Sequence, residues 1–114
     1  MAQYLILIYG DEKQHEAGGQ ELWDELMKGH TAFGEKHGAS IKGGNALQPV
    51  ATATAIRFDG DRANVTDGPF VETKEALGGY YLVEAKDLDE AIAIAKDVPA
   101  PHGGLEVRPV MVFD

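Results

Sequence analysis

The sequence predicts a single α+β domain, an antiparallel sheet with two helices on one face. Three observations lead there. Tyr4 to Tyr9 is a short, continuous apolar run bounded by Gly10-Asp11, the pattern of a strand buried on both faces and central in its sheet. Two stretches carry apolar residues at three- and four-residue spacing, the helical period. The other apolar segments are short, alternate in polarity, and are punctuated by Gly and Pro. At 114 residues the chain is long enough for one modest core.

After the first strand a polar loop is expected through Gly18-Gly19. From about Gln20 to His37 the pattern is helical: Leu22, Trp23, Leu26, Met27, His30 and Phe33 share one face, and Gly38 is placed to stop the helix. Ser40 to Leu47 reads as a strand, with Gly43-Gly44 marking a bulge or a close backbone approach. Thr52 to Phe58 alternates as a strand, Asp59-Gly60 signals a hairpin, and Ala63 to Thr66 returns. An irregular loop follows, Asp67 to Glu75. Gly79 to Ala85 is the next strand. Asp87, with Glu90 three residues on, forms a capping-box pattern for a second helix whose stripe is Leu88, Ala91, Ile92 and Ala95. Pro99 and Pro101 stop it. Leu105 to Phe113 is the last strand, and Pro109 confines it to an edge or a bulge.

Setting aside the 52–66 hairpin, this order reduces to two β-α-β halves, as in a ferredoxin-like fold. Two helices cover one face of such a sheet. Tyr4, Ile6 and Ile8 and the alternate set Leu5, Leu7 and Tyr9 are both apolar, so the second face needs a cover. A second copy of the chain is the expected one, giving a homodimer.

Composition narrows the function. Apolar residues make up 44% and charged residues 25%, ordinary for a globular protein. The net charge of -9 argues against nucleic-acid binding, which needs clustered Lys and Arg. Cysteine is absent, which excludes disulfides, thiolate metal sites and a Cys nucleophile. No apolar run approaches the roughly 20 residues of a membrane helix. No basic leader precedes the first strand, so a cytoplasmic location is expected. There is no phosphate-binding glycine motif, and Ser40, the only serine, lacks a nucleophile elbow. His30 and His37, seven residues apart on one helix, are separated by about 10 Å and do not share an ion. No cofactor or metal is expected.

Acid–base and binding groups remain. His30 stands in the middle of an apolar stripe. It is either a core histidine with a hydrogen-bond partner or a titratable group facing a pocket between helix and sheet. Asp67, Glu72, Lys74 and Glu75 lie on the irregular loop, and long irregular loops on compact sheets tend to carry function. Tyr9 ends the first strand, Tyr80 begins the strand after the loop, and Arg108 sits in the last strand. Phe70 is the large aromatic of the loop and is expected to insert and pin it. The candidate catalytic pair is His30 and Asp67; the candidate substrate-binding residues are Tyr9, Phe70, Glu72, Lys74, Tyr80 and Arg108. Each also has an ordinary structural reading, as a turn residue, a solvated charge or a core-edge tyrosine.

Asp67-Gly68-Pro69-Phe70-Val71-Glu72-Thr73-Lys74-Glu75, followed by Leu77-Gly78-Gly79-Tyr80-Tyr81, closely resembles the signature of the DGPF proteins, a branch of the YCII-related family. The resemblance extends to Tyr4–Gly10, Ala46-Leu47-Gln48-Pro49 and Val107-Arg108-Pro109-Val110. It implies a ferredoxin-like fold that pairs into a dimer, similar to the dimeric α/β-barrel proteins. It also implies one of two settings. Some relatives look like small-molecule lyases, including a dehydrochlorinase acting on chlorinated hydroquinones. DGPF proteins are often encoded beside extracytoplasmic-function sigma factors, which points instead to a ligand-binding or regulatory dimer. The active dyad proposed for YCII proteins pairs a His on the first helix with an Asp just before a Pro after the second. His30 matches the first position. Val98 occupies the second, before Pro99, and Asp97 is one residue off.

Overall fold

The computed structural model describes residues 1–113. The element order is β1 (Ala2–Gly10), α1 (Glu12–His37), β2 (Ile41–Ala46), β3 (Thr54–Asp59), β4 (Arg62–Asp67), β5 (Ala76–Ala85), α2 (Leu88–Ala95) and β6 (Gly103–Pro109), with a short 3-10 turn at Val50–Thr52. Four strands form an antiparallel sheet in the order β2-β5-β1-β6. This is the ferredoxin-like arrangement, with the β3–β4 hairpin inserted between its second and third strands. β1 is central, and β6 lies at an edge where Pro109 costs no ladder bond.

The sheet's alternation sorts its residues. Tyr4, Ile6, Val83 and Ala85 turn toward the helices and are buried with Phe33 of α1 and Ala91, Ile94, Ala95 and Val98 of the α2 region. α2 starts where the capping box predicts: Asp87 accepts from the Glu90 amide at 2.9 Å, and the Glu90 carboxylate reaches back to the Lys86 amide at 3.1 Å.

Three stretches depart from the sequence reading. The expected polar loop before Gln20 is helical, because Asp11 caps it by accepting from the amides of Lys13 and Gln14. The helix is then broken at Gly19, where φ is 61° and ψ is -153°, so α1 is two arms meeting at a joint. The last strand ends at Pro109 rather than Phe113, leaving Met111, Val112 and Phe113 exposed beyond the ladder. The β3–β4 hairpin forms its own two-stranded sheet and projects from the body. The molecule is therefore a plate, 46 × 44 × 17 Å, with a Cα radius of gyration of 16.0 Å. A compact chain of this length would have about 13 Å. Ile56, Phe58 and Val65 share one face of the hairpin and are exposed.

Candidate functional site

α1 is held close to the body near its ends and stands off in between. Near its C-terminal end Phe33 enters the core, and Gly29 packs so closely on Pro99 that an added Cβ would lie 3.0 Å from the proline ring. Before its N-terminal end the Asp11 amide donates to the His102 carbonyl at 2.9 Å. Between these points the residues at helical spacing, from Glu12 through Leu22, Leu26 and His30, face a cavity of about 780 Å³ rather than the core. Ile8, Tyr9, Gly44, Asn45, Tyr80 and Tyr81 of the sheet close its other side. The walls are mostly apolar. Trp23 lies on the rim, 55% exposed.

His30 faces this cavity and is half-buried. Its Nδ1 and the Tyr81 hydroxyl share a hydrogen bond of 2.7 Å. Desolvation lowers the pKa of His30 and raises that of Tyr81, so both are neutral at neutral pH. Sequence reasoning put Tyr80 at this site and missed Tyr81. In β5 adjacent residues point to opposite faces, and Tyr81 is the tyrosine on the helix face. Its ring lies over Gly44, where a Cβ would stand 2.8 Å from the ring and 2.7 Å from the Tyr80 carbonyl, so the bulged Gly43-Gly44 stretch makes room for it. Tyr80 reaches the cavity edge, and its hydroxyl accepts from the Asn45 side-chain Nδ2 at 2.9 Å.

The predicted residues divide between sites. His30, Tyr9 and Tyr80 line the large cavity. Glu72 lines a separate hollow of about 290 Å³ formed by the loop itself with Val50 and Ala51; only Ala76 is common to both walls. Asp67 ends β4 and is exposed. Lys74 lies outside both linings, and its charge acts on Asp11 instead. Burial raises the Asp11 carboxyl, but the Gln14 and Lys13 amides, the Gln14 side chain and Lys74 together hold it below the usual value. Arg108 is on the surface, paired with Glu106. Phe70 does not insert: it is 55% exposed. Arg57 clasps it, with the guanidinium 3.9 Å from the ring centre and one N–H donated to the Phe70 carbonyl at 3.0 Å.

The carboxylate near Pro99 serves a different histidine. Asp97 accepts from His37 Nε2 at 2.7 Å and pairs with Lys36 at 3.0 Å. The His37 and Lys36 hydrogen bonds hold the Asp97 carboxyl below its ordinary range. His37 is two turns beyond His30, across the buried Phe33 ring, and Val98 is buried in the core. Among the described residues His30 therefore has a tyrosine partner and no carboxylate.

Sequence reasoning also missed the polar end of the cavity. Glu12, His15 and Glu16 line it. Their helical spacing with Leu22 and Leu26 was the available signal, concealed because the stripe there is polar rather than apolar. Among the described residues no group of three or more His, Cys, Asp or Glu is arranged to hold a metal ion. Among the same residues no helix is long and apolar enough to cross a membrane.

The YCII-related domain matches residues 2–114. The chain is also similar to an uncharacterized protein of Rhizobium meliloti (strain 1021), 35% identical over 115 residues, covering 96% of this chain and 93% of that protein. This chain belongs to the YCII-related domain family.

Proposed function

We propose that this YCII-related protein is a small-molecule enzyme of general acid–base, lyase-like type, with the cavity beneath α1 as its site and His30 as proton acceptor. The observation that carries this reading is the His30–Tyr81 pair inside a cavity large enough for a small organic molecule. For His30 to act as base, Nδ1–H donates to the Tyr81 oxygen and Nε2 keeps its lone pair for the substrate. Tyr81 then sets the ring's orientation. It supplies no negative charge to stabilise an imidazolium, and desolvation opposes charging His30 as well. Such a base suits an acidic proton, on oxygen or on carbon next to an electron-withdrawing group.

Asp67, at the end of β4, and Glu72, on the loop that follows, enter this reading only if that segment closes toward the cavity. The missing carboxylate favours a second reading, in which the same cavity binds a ligand without turnover, as in a regulatory dimer. Both readings include a second copy of the chain, supported by the plate-like shape and the exposed apolar face of the hairpin.

The test is a ligand-observed NMR screen of small organic molecules on the wild type and His30→Gln, followed by incubation of the binders in D₂O. Binders lost in the variant, with deuterium entering a C–H position or an elimination product appearing, support the enzyme. Binders lost without exchange or product select the ligand-binding reading. Binders indifferent to His30→Gln sink both. Light scattering at micromolar concentration checks the dimer, and a monomeric mass removes it.

A further inference from the structure

We infer that the ligand of this cavity is an elongated apolar molecule ending in a protonated amine, the amine seated at the Glu12–Glu16 end. The inference rests on the cavity being a small-molecule site and adds the class of molecule.

Charge is the first argument. Among the described residues no Lys or Arg lines the cavity, whereas Glu12 and Glu16 do. A carboxylate or phosphate ligand would meet no countercharge there and would lie beside two negative groups, a costly arrangement in a partly desolvated space. An ammonium meets the opposite condition.

Acceptor supply is the second. One Glu12 oxygen accepts from the Val50 amide at 3.0 Å, which fixes the side chain and leaves the second oxygen available. His15 lines the same end, and its Nε2 is shut off from solvent with no hydrogen-bond partner among the described residues. That nitrogen packs against the Gly10 backbone, where an added Cβ would stand 3.0 Å from it, so His15 serves as wall and the acceptors left to a ligand are carboxylate oxygens. An alkylammonium carries three N–H donors, and this end of the cavity offers acceptors on Glu12 and Glu16.

Shape is the third. Glu12, His15 and Glu16 occupy the first arm of α1, and Leu22, Leu26 and His30 follow on the second. From Glu16 to His30 the helix axis runs at most roughly 20 Å, at 1.5 Å per residue. A molecule held at the acidic end thus lays its apolar body along Leu22, Trp23 and Leu26, with its far end directed toward His30 and Tyr81.

Trp23 is the only tryptophan and lines the cavity, so its fluorescence reports occupancy. We would titrate the wild type with decylamine, 1-decanol and decanoate, each below its aggregation concentration, at pH 7 and low salt. The expected order is amine, then alcohol, then carboxylate, with at least a tenfold gap in Kd between amine and carboxylate. General attraction of a cation to an acidic protein is separated by the double variant Glu12→Gln/Glu16→Gln. It keeps an acceptor for the Val50 amide and changes the net charge only from -9 to -7. The variant should lose most of the gap while 1-decanol binds as before.

Glu16→Gln alone, at an exposed position, should narrow the gap by itself and stands in if the double variant is unfolded. Decanoate binding as tightly as decylamine, or a gap that survives in the variants, overturns the amine. If decanoate is preferred and His30→Gln still weakens its binding, the acid–base site stands and only the ligand class falls. If none of the three changes Trp23 fluorescence, the cavity is not a small-molecule site and both readings fall together.

Discussion

The two helices lie on the same face of the same sheet and do opposite things. α2 has eight residues, of which Ala91, Ile94 and Ala95 are buried; α1 has 26, of which only Phe33 is buried. α2 is short, uniformly apolar on one side, and seated directly on the strands. α1 spends its apolar stripe on a hollow. A helix that packs stabilises the sheet beneath it, whereas a helix held off the sheet stores unburied apolar surface. The difference separates the part of the molecule that holds the fold from the part that can receive something.

Core truncation is where the contrast should be largest. Phe33→Ala is expected to cost about 3–5 kcal/mol and Ile94→Ala about 2–5 kcal/mol, by lost burial and the cavities left behind. Leu26→Ala, on the stripe over the hollow, should cost less than about 1 kcal/mol, because its side chain leaves no new void in packed surroundings. Urea denaturation measures all three. A Leu26→Ala loss as large as that at Ile94 would mean that α1 is collapsed onto the sheet in solution and the hollow is absent.

His30 sharpens the contrast in a different way. As a group facing the cavity it has few packing partners to lose, so His30→Gln should change stability by less than about 1 kcal/mol at pH 7, within the range of an exposed polar substitution. A loss of several kcal/mol would place it in the core instead.

The pH dependence follows from the pKa directions. His30 has its pKa lowered on folding, so the folded state binds fewer protons than the unfolded one below the unfolded value of about 6.5. Stability is full above that value and declines as the pH falls toward the lowered folded value. His30→Gln should flatten this part of the profile. Asp97 is also lowered, so its contribution is present above an unfolded value of about 3.9 and is lost as the pH falls through its folded value. Asp97→Asn should remove that acid-range loss. Thermal melts across pH 3 to 8 separate the His30 and Asp97 contributions.

The smallest effect belongs to the loop. Phe70→Ala should cost no more than about 1 kcal/mol, the scale of an exposed cation–π contact, and Arg57→Ala should match it. If Phe70→Ala costs as much as Ile94→Ala, the ring is covered in solution, and a second copy of the chain is the candidate cover.

Much of the fold was legible because it is written in side-chain alternation. The Tyr4–Tyr9 run, the capping box at Asp87 and Glu90, and Pro109 at an edge each state a local requirement that only one placement meets. The site was less legible. The sequence points to His30 because an ionisable group interrupts an apolar stripe. It does not choose between Tyr80 and Tyr81, since that choice depends on which face of β5 meets α1. Glu12, His15 and Glu16 stay hidden because a polar helix lining a cavity has the same pattern as one lining solvent. Phe70 misled for the converse reason: an aromatic in a polar loop suggests insertion, and here Arg57 reaches over from β3 and covers one side of its ring.

The joint at Gly19 divides α1 into two cooperative units. Its dihedrals fall in a region essentially reserved for glycine, so the ladder of helical hydrogen bonds is interrupted there. The seven residues from Glu12 to Gly18 are well below the length at which a helix sustains itself in water. Their order depends on the Asp11 cap and on the Glu12 contact with the Val50 amide. The second arm is anchored by Phe33. Amide hydrogen exchange should therefore report two protection levels within one helix, low before Gly19 and high near Phe33. The carboxylates at the cavity's polar end ride on the weakly protected arm, and His30 rides on the strongly protected one.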